Sequence, residues 1–483
     1  MSAANSSLEN SAPFSLQDMH DATPGSLFVR GDIILNGEVV PSKEFEYSMI
    51  KGRGVTTDTR KIAPGSIFVA LRGERFDGHD FLEQAQQAGA AFVVVEDVEN
   101  APENLVCFYA LDSLMALGDM ATFHRNRFNI PVIGVTGSYG KTTTRAFIAA
   151  ALSPLGEILA SRENFNNEIG VPQTLFGLDE NHKAAVVEMG MRGEGQILYL
   201  ANTARPTIGV ITNVGPQHIE LLGNLENIAR AKAELIENLA PDSLAVLPSE
   251  GEYSELLIEI AREVGCRVVT FGTSEQADFR VSSTRTTENG SLEAQFKIQN
   301  SELEIALPLP GAHNATNAAA ALAVAHELGV DLEKAARALE TVEVPGARMR
   351  VVRAGEITIL DDSYNAGPDS MRAALETLRD LPNAKRRVAV LGAMKELGDF
   401  SEEEHRKLGV LASTICDVVV YVGEETRAAF EVTTIETLQC ENASEAANRV
   451  LDLVESGVES GDVVLVKGSR SVGLELVVSA LAQ

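Results

Sequence analysis

The sequence is short of basic residues, with 40 Lys and Arg against 69 Asp and Glu, for a formal net charge of -29. A polyanion such as DNA would meet long-range repulsion, which excludes nucleic acid as a main partner. A small anionic substrate is not excluded, because a few local N–H groups and cations outweigh a screened distant field. Cysteine is scarce as well. Cys107, Cys266, Cys416 and Cys440 lie far apart and form no C-x-x-C pair, so free thiols in a reducing compartment are expected. No apolar run approaches the roughly 18 residues of a membrane span, and MSAANSSLEN lacks the charged-then-apolar order of a signal peptide. A cytoplasmic protein without membrane insertion is therefore expected. No short-period repeat is visible.

What is present is ordinary globular material, 45% hydrophobic and 23% charged over 483 residues, enough for about three domains at roughly 150 residues each. After a polar first dozen expected to fray, strand-like runs at Ser26–Val29 and Asp32–Ile34 precede a polar connection through Lys51–Gly54. A strand at Gly65–Leu71, a helix at Phe81–Ala88 and a strand at Ala90–Val95 complete a small mixed α/β domain over residues 1–128. From Asn129, apolar strands alternate with amphipathic helices (NIPVIGVTG, AAVVEMG, PTIGVITNVG, NIARAKAELIENL, SLAVLP), the pattern of a doubly wound parallel sheet. Between Ala277 and Pro308 the alternation DFRVSS and LEAQFKIQ around ENGS reads as added antiparallel hairpins, and helices at Asn314–Leu328 and Leu332–Thr341 close a domain over 129–344. EITILDD, RRVAVLGA, DVVVYVG and DVVLVKGS supply a third, Rossmann-like α/β domain over 345–483.

The clearest chemical signal is Thr136-Gly137-Ser138-Tyr139-Gly140-Lys141-Thr142-Thr143, between an apolar strand and a helix. Glycines let backbone N–H groups turn toward phosphate oxygens, the helix N-terminus and Lys141 add positive charge, and the Thr142 hydroxyl suits Mg²⁺. The loop departs from a strict Walker A, since Val135 stands five before Gly140. Other candidates are weaker alone. Glu188 ends AAVVEMG and is either a solvated carboxylate or an Mg²⁺ ligand; His218 follows ITNVGPQ, where a lone His is usually structural. Lys232 sits on a helix, where a solvated lysine is ordinary, and Asn314 could be an N-cap. Asp361 and Asp362 could hold a ribose, a metal or nothing, and Lys467-Gly468-Ser469-Arg470 suits an anion.

In order, TTDTRKIAPGSIFVALRGERFDGHDF, TGSYGKTT, NFNNEIGVPQTL, VVEMGMRGEGQI, ITNVGPQHIE, AKAEL, GAHNATNAAAA, DDSYNAGPDSM, VLGAMKELG and VLVKGSRS resemble the Mur ligase family, from about Val55 to the C-terminus. The resemblance implies an ATP-dependent ligase that activates a carboxylate as an acyl phosphate. YNAGPDSM and LGAMKELG, and the absence of a DNPR motif, point within the family to addition of D-alanyl-D-alanine to UDP-N-acetylmuramoyl-tripeptide. It further implies that Lys141 and Thr142 hold ATP phosphates and one of two Mg²⁺ ions, with Gly137, Ser138, Gly140 and Thr143 in the same loop. Glu188 and His218 would be metal ligands, and Lys232 would be carbamylated and bridge to a metal. Asn314 and Asn317 match adenine contacts, Asp362 and Tyr364 ribose or adenine contacts, and Arg348 a phosphate contact. Thr59, Arg60 and the loop Arg72, Gly73, Glu74, Arg75, Phe76 match the UDP-sugar region. Asn164, Asn166 and Asn167 match the segment facing the substrate peptide, while Asn365, Lys467 and Ser469 are expected at the substrate.

Departures are Gly346-Ala347-Arg348 where Gly-Arg is common, Gly367 for an Asn before the proline, Ser-Val-Gly after Arg470, and extra length over 31–54. A monomer is expected. Other Mur-type ligases and folylpolyglutamate-synthase-like ligases are neighbouring readings; a phosphate-loop NTPase switch and a non-catalytic scaffold are readings of other classes.

Overall fold

A computed structural model describes residues 10–35, 38–40, 46–455 and 461–482. The chain forms two compact units, one of 1–132, 157–189 and 198–206, the other of 133–156, 190–197 and 207–483.

In the first unit, five strands run in the order Gly25–Val29, Val106–Ala110, Phe92–Val95, Ile67–Val69, Val55–Thr56, with only the first pair antiparallel. Phe68, Val93, Val95 and Cys107 pack with Leu82 and Ala85 of the helix Leu82–Gln87 into one core. Two expectations are corrected here. The stretch read as a polar connection contains the strand Lys51–Arg53, paired with Pro13–Ser15. Of the dozen residues expected to fray, the first nine lie outside the described residues, but Asn10 is buried and exchanges two 2.9 Å hydrogen bonds with the backbone of Val55. The extra length contains the hairpin Ile33–Leu35 and Glu38–Val40; residues 36–37 and 41–45 lie outside the described ones. The unit also holds the parallel pair Glu157–Ala160 and His182–Glu188.

In the second unit, the strand Val132–Thr136 (from Ile133 onward) and the strands Ile208–Ile211, Leu244–Pro248 and Arg267–Gly272 are parallel. Phe279–Thr286, Leu292–Ile298 and Ser301–Leu307 then continue as the expected antiparallel hairpins. A second sheet of six strands runs Arg350–Ala354, Ile357–Asp362, Val463–Lys467, Arg387–Gly392, Val418–Val422, Glu436–Cys440, parallel after its first pair. Its last strand in sequence returns to lie between two earlier ones, so the carboxyl ends of Ile357–Asp362, Val463–Lys467 and Arg387–Gly392 line one crevice. Among the described residues, no helix is long and apolar enough to cross a membrane.

Candidate active site

The buried strand Val132–Thr136 delivers the chain into the phosphate loop, and the helix Lys141–Leu152 leaves it. Two glycines are dictated by geometry. Gly137 has φ +149°, and a Cβ there would come 1.9 Å from Thr212 Oγ1; Gly140 has φ +77°, and a Cβ would meet Asn317 Oδ1 at 2.8 Å. The segment Thr212–Gly215, none of whose residues the sequence singled out for a role, tethers the loop. Ser138 Oγ donates to the Gly215 carbonyl (2.9 Å) and accepts from its N–H (2.8 Å). Asn213 bonds both the N–H and the carbonyl of Tyr139 at 3.0 Å, and Thr212 Oγ1 donates to that carbonyl at 2.6 Å. The available signal was Thr-Asn at the end of an apolar parallel strand.

Lys141 folds back over the loop, its Nζ donating to the carbonyls of Gly137 (2.6 Å) and Ser138 (3.2 Å). Thr142 and Thr143 are buried in the first helical turn. Below them, Thr144 Oγ1 donates to Asn317 Oδ1 (3.1 Å), Asn317 Nδ2 to Asn314 Oδ1 (3.3 Å), and Asn314 Nδ2 to the Pro310 carbonyl (2.7 Å). Asn314 is not an N-cap: Gly311 holds that position of the helix Ala312–Glu327. Asn317 thus braces the loop's helix, and Asn314 in turn holds Asn317.

The solvated reading of Lys232 fails. Its side chain is 1% exposed, and burial, helped by the Lys141 cation, pushes its pKa well below the usual lysine value. His218 sits at φ +64° at the start of the short helix Ile219–Leu222. Burial pushes its imidazole down to about 4, with Lys141 and Lys232 acting the same way and Glu396 opposing. Its Nδ1 lies 2.5 Å from Glu396 Oε2.

At the crevice of the six-stranded sheet, the sequence puts Lys467 and Ser469 at the substrate, but the structure gives both internal partners. Buried Lys467 Nζ donates to Asp362 Oδ2 (2.6 Å) and to the Asn365 carbonyl (2.8 Å). Ser469 Oγ accepts from Lys395 N–H (3.0 Å). Burial raises the Asp362 carboxyl although Lys467 opposes it. Asn365 itself is exposed. Arg348 stacks over Tyr364, its guanidinium carbon 3.9 Å from the ring centroid, with Arg470 at 5.7 Å.

In the first unit, buried Glu188 ends its strand, its Oε1 accepting from Asn166 Nδ2 (2.9 Å) and its N–H bonding Ser161 Oγ (3.0 Å). Asn164 is left-handed at φ +66°, and Asn167 Oδ1 accepts from Gly170 N–H (2.9 Å), starting the helix Gly170–Leu175. Thr59 opens a 3₁₀ turn in which Arg60 forks onto Asp58 at 2.8 and 2.7 Å. The Arg72–Phe76 loop is solvent-exposed. Arg72 faces Asp77 at 3.2 Å, Gly73 N–H bonds the Phe76 carbonyl (2.9 Å), Glu74 and Arg75 are open, and Phe76 is 76% exposed.

Among the described residues, no three His, Cys, Asp or Glu side chains converge on a metal position.

Three family models match: the Mur ligase family catalytic domain over residues 51–122, the Mur ligase middle domain over 135–325, and the Mur ligase glutamate ligase domain over 347–470. A UDP-N-acetylmuramoyl-tripeptide–D-alanyl-D-alanine ligase from Synechocystis is 42% identical, across 89% of this chain and 92% of its own. The crystal structure of MurF from Acinetobacter baumannii superposes with a TM-score of 0.88 at 30% identity, covering 98% of this chain and 99% of that one. MurF ligase from Thermotoga maritima in complex with ADP gives 0.80 at 29% identity over 89% and 96%. With such identity sustained over nearly the full length of the relatives, the chain belongs to the Mur ligase family.

Proposed function

We propose that this chain joins D-alanyl-D-alanine to UDP-N-acetylmuramoyl-tripeptide at the expense of ATP, making a peptidoglycan precursor. The observation that carries this reading is a phosphate loop whose Lys141 charge acts on a second, fully buried lysine, Lys232, in a chain similar along its length to ligases so named. Residues 1–128 would take the UDP-sugar, 129–344 ATP, and 345–483 the dipeptide.

The reaction requires two anions to meet. The terminal carboxylate of the tripeptide attacks the γ-phosphorus, ADP leaves, and an acyl phosphate remains. The dipeptide's amine then attacks the acyl carbon, loses a proton, and inorganic phosphate departs. Lys141, released from the Gly137 and Ser138 carbonyls, and the loop N–H groups would neutralise the transferring phosphoryl group, while the Thr212–Gly215 segment fixes the loop backbone at Ser138 and Tyr139. Mg²⁺, when bound, would supply further neutralisation of the phosphates. Thr142 and His218 would hold it, and for Glu188 the ligand role is what the family resemblance implies.

Lys232 fits carbamylation. A buried amine held toward its neutral form is the species that adds CO₂, and the resulting carbamate would place an anion beside Lys141. Asp362, Tyr364 and Arg348 would contact the nucleotide from the third segment, excluding water from the acyl phosphate.

The test is ADP release with Mg-ATP, UDP-N-acetylmuramoyl-tripeptide and D-Ala-D-Ala, omitting each in turn. ADP that needs all three, and its loss in a folded Lys141→Ala variant, is the expected result. ADP released without either acceptor or tripeptide overturns the substrate assignment.

A further inference from the structure

Glu396 has no role in the reading above. It lies in the turn after the strand Arg387–Gly392, at φ +62°, a left-handed conformation that non-glycine residues seldom adopt. Two residues on, Gly398 at φ +52° abuts Glu220, so closely that a Cβ would come within 3.0 Å of the Glu220 Cγ. The turn is thereby seated on the helix Ile219–Leu222. From this seat Glu396 sends one carboxylate oxygen to within 2.5 Å of His218 Nδ1, and the other to 3.9 Å from Arg192 Nε. The neighbouring Lys395 does not compete, because its ammonium is paired with Glu425.

A histidine that ligates a metal through one ring nitrogen commonly presents the other to a carboxylate, which fixes tautomer and ring orientation. With Nδ1 facing Glu396, Nε2 is the nitrogen left to meet an ion. We propose that Glu396 is a positioning residue that orients the His218 imidazole for metal binding, so that seating of the third segment's turn on Ile219–Leu222 completes the metal site. The proposal rests on the Mg²⁺ role given to His218 above. Arg192, at 3.9 Å, offsets part of the carboxylate's charge.

The experiment uses the full chain and Mn²⁺ as the probe, with free Mn²⁺ counted by electron paramagnetic resonance in the presence of a non-hydrolysable ATP analogue. Glu396→Gln should weaken Mn²⁺ binding by roughly ten- to a hundredfold. Glu396→Asp should fall between, and affinity for the analogue without metal should stay within about threefold of the parent. In a His218→Asn background, Glu396→Gln should add no further loss. The turnover deficit of Glu396→Gln should shrink as Mg²⁺ is raised, which a merely structural defect would not do. Unchanged Mn²⁺ affinity in folded Glu396→Gln, or the same loss in both His218 backgrounds, overturns the proposal. Neither the UDP-linked peptide nor the dipeptide enters the titration. A wrong substrate assignment would instead appear in the unaltered protein, as ADP release that does not need them.

Discussion

Asn317→Ala separates two roles for one side chain. The family resemblance makes Asn317 an adenine contact, whereas the structure shows it accepting from Thr144 and donating to Asn314 between the helices Lys141–Leu152 and Ala312–Glu327. Truncation forfeits two hydrogen bonds, each worth about 0.5–1.5 kcal/mol net, and orphans a buried hydroxyl and a buried amide oxygen. After partial relaxation the local cost should be about 2–4 kcal/mol. Tryptophan fluorescence cannot report it, since the chain has none. Hydrogen–deuterium exchange read by mass spectrometry can: protection of the two helices should fall roughly 30- to 1,000-fold, the same energy expressed as an opening equilibrium. The strands of the six-stranded sheet should be untouched. Exchange unchanged in both helices, with nucleotide affinity weakened, would refute the bracing argument and leave Asn317 as a contact only.

Gly137→Ala should weaken nucleotide binding at least about tenfold, or ~1.4 kcal/mol, because its Cβ would lie 1.9 Å from Thr212 Oγ1. Adding Thr212→Ala should recover part of the loss, and a parental dissociation constant in the single variant by calorimetry would refute the clash. Lys232→Ala should abolish turnover, with partial return on adding short-chain carboxylates; unaffected turnover would exclude any role for this lysine. His124, buried against the Leu178 carbonyl, has its pKa lowered from 6.5 to about 4 by burial. The unfolded state therefore binds the extra proton first, so stability is complete above about 6.5 and is lost as pH falls toward 4, by on the order of 3 kcal/mol. Denaturation followed by circular dichroism should show this slope in the parent and a flatter one in His124→Phe; equal slopes would sink the account.

How much of this was legible depended on whether the cause was local. The phosphate loop was readable because an apolar strand, glycines, Lys-Thr and an apolar helix face are contiguous, and the hairpins of Phe279–Leu307 because alternation is a period of two. The burial of Lys232 was readable in principle: it stands four after Ile228, three before Leu235 and four before Ile236, all buried, which puts it on the apolar face of the helix Leu225–Glu237. On residue type alone a solvated lysine is the ordinary expectation, and it was the family resemblance rather than this spacing that singled Lys232 out. Partners distant in sequence were not readable at all. Nothing near Ser138 announces Gly215, nothing near Lys467 announces that its charge is spent on Asp362, and nothing near His218 announces Glu396. Yet these exceptions share a physical mark. Lys232 breaks the polarity rule of its helix, and His218 and Glu396 each hold a left-handed backbone without being glycine. A fold tolerates such costs where something other than stability selects the residue. Lys232, Glu396 and Lys141 all act on His218, in one unit, and that convergence is a stronger pointer to a candidate site than any of the motifs taken singly.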